Sequence, residues 1–131
     1  MTDPTYDAGM QIRRDVLGDA HVDGAIAATT EFTEAFQDFI TRYAWGTVWA
    51  RDGLDRRTRS AITLAVLTAL GRESELALHV RGARRNGLSN AEIGEVLLHT
   101  AVYAGVPAAN AAFRVAKAIL EENFTRPGDG A

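Results

Sequence analysis

Three features of the sequence predict an all-α fold. Apolar residues recur three and four positions apart along most of its length, no stretch alternates with strand period, and helix start and stop signals punctuate it at short intervals. Asp3 followed by Pro4 reads as an N-cap with proline at the first helical position, and the helix it opens is expected to stop near Gly18. His21 then falls in Asp19-Ala20-His21-Val22-Asp23, read as a loop, so residues 1–30 form an N-terminal arm. From Thr30 to Tyr43, the residues Phe32, Phe36, Phe39, Ile40 and Tyr43 fall at helical spacing. They lead into an aromatic segment with Trp45 and Trp49, where Gly46 is expected to mark a bend or a second short helix.

The turn Arg51-Asp52-Gly53 ends that region, and Asp55 can cap a helix running through Ala61-Ile62-Thr63-Leu64-Ala65-Val66-Leu67 to Gly71. Apolar on most sides, this helix is expected to be central. The next spans about Glu73 to Asn86 and stops at Gly87, with Leu76, Val80 and Ala83 toward the core. Ser89-Asn90-Ala91-Glu92 is a capping box opening a helix through Ile93, Val96, Leu97 and Thr100 to Gly105. Pro107 starts the last helix, alanine-rich from Ala108 to Asn123, in which Asn110 reads as a group bonding to a neighbouring helix. Residues 124–131 read as a frayed tail. The expectation is six or seven helices with short turns, in one domain spanning residues 1–131.

Composition narrows the function. No cysteine is present, which removes disulfides, thiol nucleophiles and thiolate metal sites. Fourteen basic against seventeen acidic residues, with no long basic run, argue against nucleic acid as a partner. Met1-Thr2-Asp3-Pro4 lacks a basic n-region and an apolar h-region, so a cytoplasmic location is expected. The longest apolar stretch, Ala61 to Leu70, is about half of what spans a bilayer and contains Thr63 and Thr68, so no membrane role is expected.

Candidate chemistry concentrates on one strip. Residues three, four and seven apart share one side of a helix, which would align Arg72, Glu75 and His79 where apolar interior meets polar surface. By spacing alone such a strip is more often a surface ion-pair ladder than a site. His99 and Tyr103 form a second pair one turn apart, with either a pocket role or a histidine satisfied by Glu95. Trp45 and Trp49, also one turn apart, fit core or subunit contacts at least as well as a pocket wall. The three histidines show no metal-ligand spacing, so no metal is expected.

Several segments, taken together, carry a resemblance. They are Phe39-Ile40-Thr41-Arg42-Tyr43-Ala44-Trp45-Gly46 with Trp49, Thr58-Arg59-Ser60, Ala69-Leu70-Gly71-Arg72-Glu73 through Glu75-Leu76 and His79, and Tyr103-Ala104-Gly105-Val106-Pro107-Ala108-Ala109-Asn110-Ala111-Ala112. With them the chain resembles the carboxymuconolactone decarboxylase family over nearly its whole length, and within it the stand-alone branch of protocatechuate breakdown (the beta-ketoadipate pathway). A sister branch, the alkylhydroperoxidase D-like proteins, is similar in fold but carries E-x11-C-x2-C-x3-H. Aligned back from His79, that pattern falls on Ser60, Arg72 and Glu75, so peroxidase or disulfide reductase chemistry is excluded.

The resemblance implies an alkylhydroperoxidase D-like helical fold and cofactor-independent loss of CO2 from 4-carboxymuconolactone, a dicarboxylate lactone, giving 3-oxoadipate enol-lactone. Under it, His79 is the first candidate for the proton donor, with Glu75 able to favour its protonated form or to relay the proton itself. Arg72, Arg59 and Arg51 are candidates to grip the acetate arm, since a guanidinium fork matches a carboxylate. Trp45 and Trp49 would wall the pocket, and His99 with Tyr103 would contribute to binding. A homo-oligomer, trimer or hexamer, is also implied, with pockets at or near subunit contacts. A divergent or non-catalytic member binding another small acid or lactone stays open as the alternative.

Overall fold

The computed structural model describes residues 3–124, and the frayed tail expected from residue 124 lies, beyond Phe124, outside them. The described residues are all-α. They form α1 (Pro4–Leu17), α2 (Asp19–Ala28), α3 (Glu34–Ile40), a π-helical segment (Thr41–Val48), α4 (Arg56–Leu70), α5 (Glu73–Arg85), α6 (Asn90–Ala104) and α7 (Val106–Phe124). Two compact units divide the chain, Met1–Arg56 and Arg57–Ala131.

In the first unit, Asp3 caps α1 as expected, its carboxylate accepting from the Thr5 N–H at 2.9 Å with Pro4 at the first position. The segment read as a loop is instead helix α2, which places His21 on an exposed helical surface. Its single buried side chain, Val22, is too little apolar periodicity to announce a helix in the sequence. Gly46 marks no bend either, because the π-helical segment runs through it, with Trp49 N–H donating to Ala44 O at 2.9 Å. The glycine serves a crossing: a Cβ on Gly9 of α1 would stand 2.8 Å from Gly46 N, and one on Gly46 would overlap the Thr5 carbonyl. Only hydrogen at both positions lets the two backbones approach this closely. Around the crossing Ile12, Val16, Leu17, Val22 and Trp45 are buried. The Phe32, Phe36, Phe39 and Tyr43 stripe faces outward, with Phe32 95% exposed.

In the second unit the core is Leu64, Leu76, Val80, Ala83, Leu88, Ile93, Leu97, Ala112, Ala116 and Ile119, drawn from α4 to α7. The capping box forms in full: Ser89 Oγ accepts from Glu92 N–H at 3.0 Å and Glu92 Oε1 from Ser89 N–H at 2.9 Å. Arg57 adds a two-pronged ion pair with Glu92 and donates to Gly87 O at 2.8 Å. Gly87, at φ +98°, turns the chain between α5 and α6 in a conformation that L side chains rarely adopt. One expectation fails for α4. The helix buries only the Ser60, Leu64 and Thr68 face, while Ile62, Val66 and Leu70 are about half exposed, so it is one-sided rather than central. On α6, Leu98, Val102 and Tyr103 are likewise exposed.

Candidate functional site

The strip that drew attention in the sequence sits on α5. Leu76, Val80 and Ala83 are buried as the helical period requires, which fixes the rotation of the helix and leaves His79 at the edge of the covered face. His79 is half-buried and its Nδ1 is shielded from solvent, while Glu75, one turn nearer the N-terminus, is exposed. Arg72 does not belong to the helix proper. It is the N-cap residue, with φ −90° and ψ 77°, so its side chain leaves from a non-helical position. It borders a small hollow with Thr68, Glu73, Leu76, Ala108 and Ala112, of about 10 Å3, the room of roughly one water. Arg72 and Glu75 are both exposed, and of the three residues expected to share the strip only Glu75 and His79 lie on the helix.

The neighbouring groups are held by identifiable contacts. Ser60, the position aligned with the glutamate of the dithiol pattern, is buried on α4 and accepts from Asn86 Nδ2 at 2.9 Å, tying α4 to the end of α5. Arg59, beside it, is partly buried with its Nε shielded. Glu73 is paired with Arg114 of α7 at 3.1 Å, and Arg81 with Glu122 at 3.3 Å. The first pair is solvent-exposed and contributes little to stability, while the second is part-buried.

The remaining candidates are placed as follows. The His99 and Tyr103 rings lie 5.4 Å apart between centroids and are tilted by 42°, but both are exposed, Tyr103 at 81%. Among the described residues no hydrogen bond joins His99 to Glu95, so the partly buried, Glu95-satisfied histidine is not what forms. Asn110 also points to solvent rather than bonding across helices. In the first unit, Trp45 is 6% exposed and lies 5.0 Å from Trp49, which is partly covered, while Arg51 is exposed in the turn that follows.

One residue escaped the sequence reading. Arg13 is buried in the first unit on the same side of α1 as Gly9, Val16 and Leu17. The signal was there, a cation three and four residues from Val16 and Leu17 and four from Gly9, inside an otherwise apolar stripe.

Comparison with known proteins adds an independent line. A model described as the carboxymuconolactone decarboxylase family matches residues 34–118. The chain is 46% identical over 117 residues to a 4-carboxymuconolactone decarboxylase of Acinetobacter baylyi, covering 89% of this chain and 87% of that protein. It is 48% identical over 102 residues to the nitrosuccinic acid decarboxylase npaB of Metarhizium robertsii, covering 78% and 71%. A 4-carboxymuconolactone decarboxylase of Pseudomonas putida matches at 58% identity over 41 residues, which is 31% of this chain and 85% of that sequence.

Proposed function

As this chain belongs to the carboxymuconolactone decarboxylase family, we propose that it removes CO2 from 4-carboxymuconolactone, without a cofactor, to give 3-oxoadipate enol-lactone. What carries the reading is the 46% identity that runs through nearly the full length of both chains.

The chemistry asks three things of the protein. The departing carboxylate sits on the ring carbon vinylogous to the lactone carbonyl, so when the C–CO2 bond breaks its electron pair passes through the ring alkene to the carbonyl oxygen. The lactone is its own electron sink. The protein must first stabilise the enolate oxygen that develops, with donors already in place. It must then deliver a proton to the carbon beside the carbonyl, forming the C–H bond that completes the product. His79 is the donor in this reading, its half-buried ring shielded at Nδ1, and Glu75, one turn earlier, favours the protonated ring or relays the proton. Finally it must hold a dianion without pairing the leaving carboxylate too well, because stabilising that group in the ground state raises the barrier to its loss. A guanidinium on the acetate arm meets this condition, and Arg72, exposed at the head of α5, is the first candidate, with Arg59 the second.

A second substrate has specific support in the 48% identity to the nitrosuccinic acid decarboxylase. Nitrosuccinate is also a dicarboxylate whose leaving group departs from a carbon attached to an electron sink, there the nitro group. The same demands apply: one carboxylate anchored, one released, one proton returned to carbon.

The reading extends to a cytoplasmic homo-oligomer of three or six copies, supported by the exposed apolar side chains of α4 and α6. Sedimentation giving a monomer at micromolar concentration would remove that extension. The test of the activity is direct: purified protein is given each substrate and CO2 release is followed. 4-Carboxymuconolactone is expected to turn over with the higher kcat/KM, and His79→Ala to lose roughly 100-fold or more in kcat with the far-UV dichroism unchanged. A His79→Ala variant with wild-type turnover removes His79 from the mechanism, and wild-type protein inert toward 4-carboxymuconolactone removes the assignment.

A further inference from the structure

Arg13 is 5% exposed, and both of its hydrogen-bond partners are neutral. Its Nη1 donates to Thr41 Oγ1 at 3.3 Å and its Nη2 to Gln37 Oε1 at 3.0 Å. Its Nε–H is buried without an acceptor, and among the described residues no carboxylate lies within ion-pair distance of it. Other arginines of this unit contrast sharply: Arg14 pairs with Asp19 and Asp23, Arg42 with Asp3 and Asp38, and Arg56 with Asp15. Burial lowers the Arg13 pKa, opposed only by the Tyr6 phenol. A guanidinium nevertheless stays protonated in a protein, so the unit keeps a positive charge out of water with no opposite charge beside it.

The same residue borders an open hollow of about 850 Å3 within the first unit. Arg42, the other cation in its wall, is committed to two carboxylates, which leaves Arg13 as the group there able to receive an anion. A guanidinium has five N–H donors, of which two are engaged, so the fork retains capacity for a carboxylate. Met10, Ile26 and Ala35 add apolar wall, whereas Asp3, Glu34 and Asp38 would repel a second negative charge, Asp3 and Asp38 less so because Arg42 pairs with both.

We propose that this hollow binds a small organic monocarboxylate, its carboxylate on Arg13 and its short apolar body against Met10, Ile26 and Ala35. The hollow is lined by residues of the first unit, whereas the chemistry assigned to α5 rests on residues of the second. It is read by binding rather than turnover, so its outcome is independent of the decarboxylation reading.

The experiment follows the arginine Nε–Hε resonances of 15N-labelled protein during titration with butanoate, with succinate and butan-1-ol as comparisons. Butanoate is expected to shift one resonance saturably, the one missing from the Arg13→Gln spectrum, with succinate at least fivefold weaker and butan-1-ol without effect. Should Arg13→Gln fail to fold, Ala35→Trp fills the hollow from an exposed wall position, leaves Arg13 in place and is expected to weaken butanoate at least tenfold. Absence of a saturable shift, equal binding of butan-1-ol or succinate, or butanoate affinity unchanged in Ala35→Trp each overturns the proposal.

Discussion

Replacing Gly9 by alanine tests the helix crossing that organises the first unit. The added methyl carbon would overlap the Thr41 carbonyl oxygen and stand 2.8 Å from Gly46 N and 3.0 Å from Gly46 Cα, where such atoms pack at roughly 3.5–4.0 Å. Both groups are backbone and cannot rotate aside. Relief requires α1 and the π-helical segment to part by about 0.5–1 Å, which forfeits a quarter to a half of the contact energy along the seam. Overpacking of this kind costs about 1–3 kcal/mol, offset by about 0.8–1.0 kcal/mol of alanine's better helix propensity. A clash against several backbone atoms of one segment belongs at the upper end, for a net loss of about 2 kcal/mol. Gly24→Ala is the matched control: it lies inside α2, a Cβ there meets nothing within 4 Å, and the same chemical change should gain about 0.5–1 kcal/mol. Both tryptophans of the chain, Trp45 and Trp49, belong to the first unit, so urea unfolding followed by their fluorescence reports on it. With a slope of about 2 kcal/mol per molar, the midpoint should fall by about 1 M for Gly9→Ala and rise by less than 0.5 M for Gly24→Ala. A Gly9→Ala midpoint at or above wild type would refute the close approach.

Two further outcomes follow from the second unit. Ser89→Ala removes the acceptor for the Glu92 N–H and should lower stability by about 1 kcal/mol, measured by thermal or urea unfolding. The Glu92 carboxyl is held below the usual carboxylate range, chiefly by the Ser89 N–H, with the Ser89 hydroxyl and the Arg57 charge adding to it. A folded pKa below the unfolded one means the contribution is full above the unfolded value, about 4.3, and is lost as pH falls through the folded value. Wild type should therefore lose more stability between about pH 5 and pH 3 than Glu92→Gln does, and parallel curves for the two would contradict the assignment.

Much of the second unit was legible in the chain because its signals are local. Ser89 and Glu92 cap a helix with atoms three residues apart, Gly87 stops one through its own φ, and Leu76, Val80 and Ala83 declare the covered side of α5 by spacing alone. The strip of Glu75 and His79 follows from that rotation, and its chemistry was read from residue types together with family resemblance. Contacts between elements are not written locally. Nothing near Gly46 announces that Gly9, distant in sequence, must cross it, so a glycine that admits a neighbouring backbone looked like one that breaks a helix. Apolar side chains around α4 looked like a central helix, yet periodicity records only that a face is apolar, not whether the same chain covers it. Arg13 shows the limit most clearly. Its charge is plain in the sequence, but whether a charge lies in water or is buried against neutral partners depends on what the fold packs against it, and only the tertiary structure decides that.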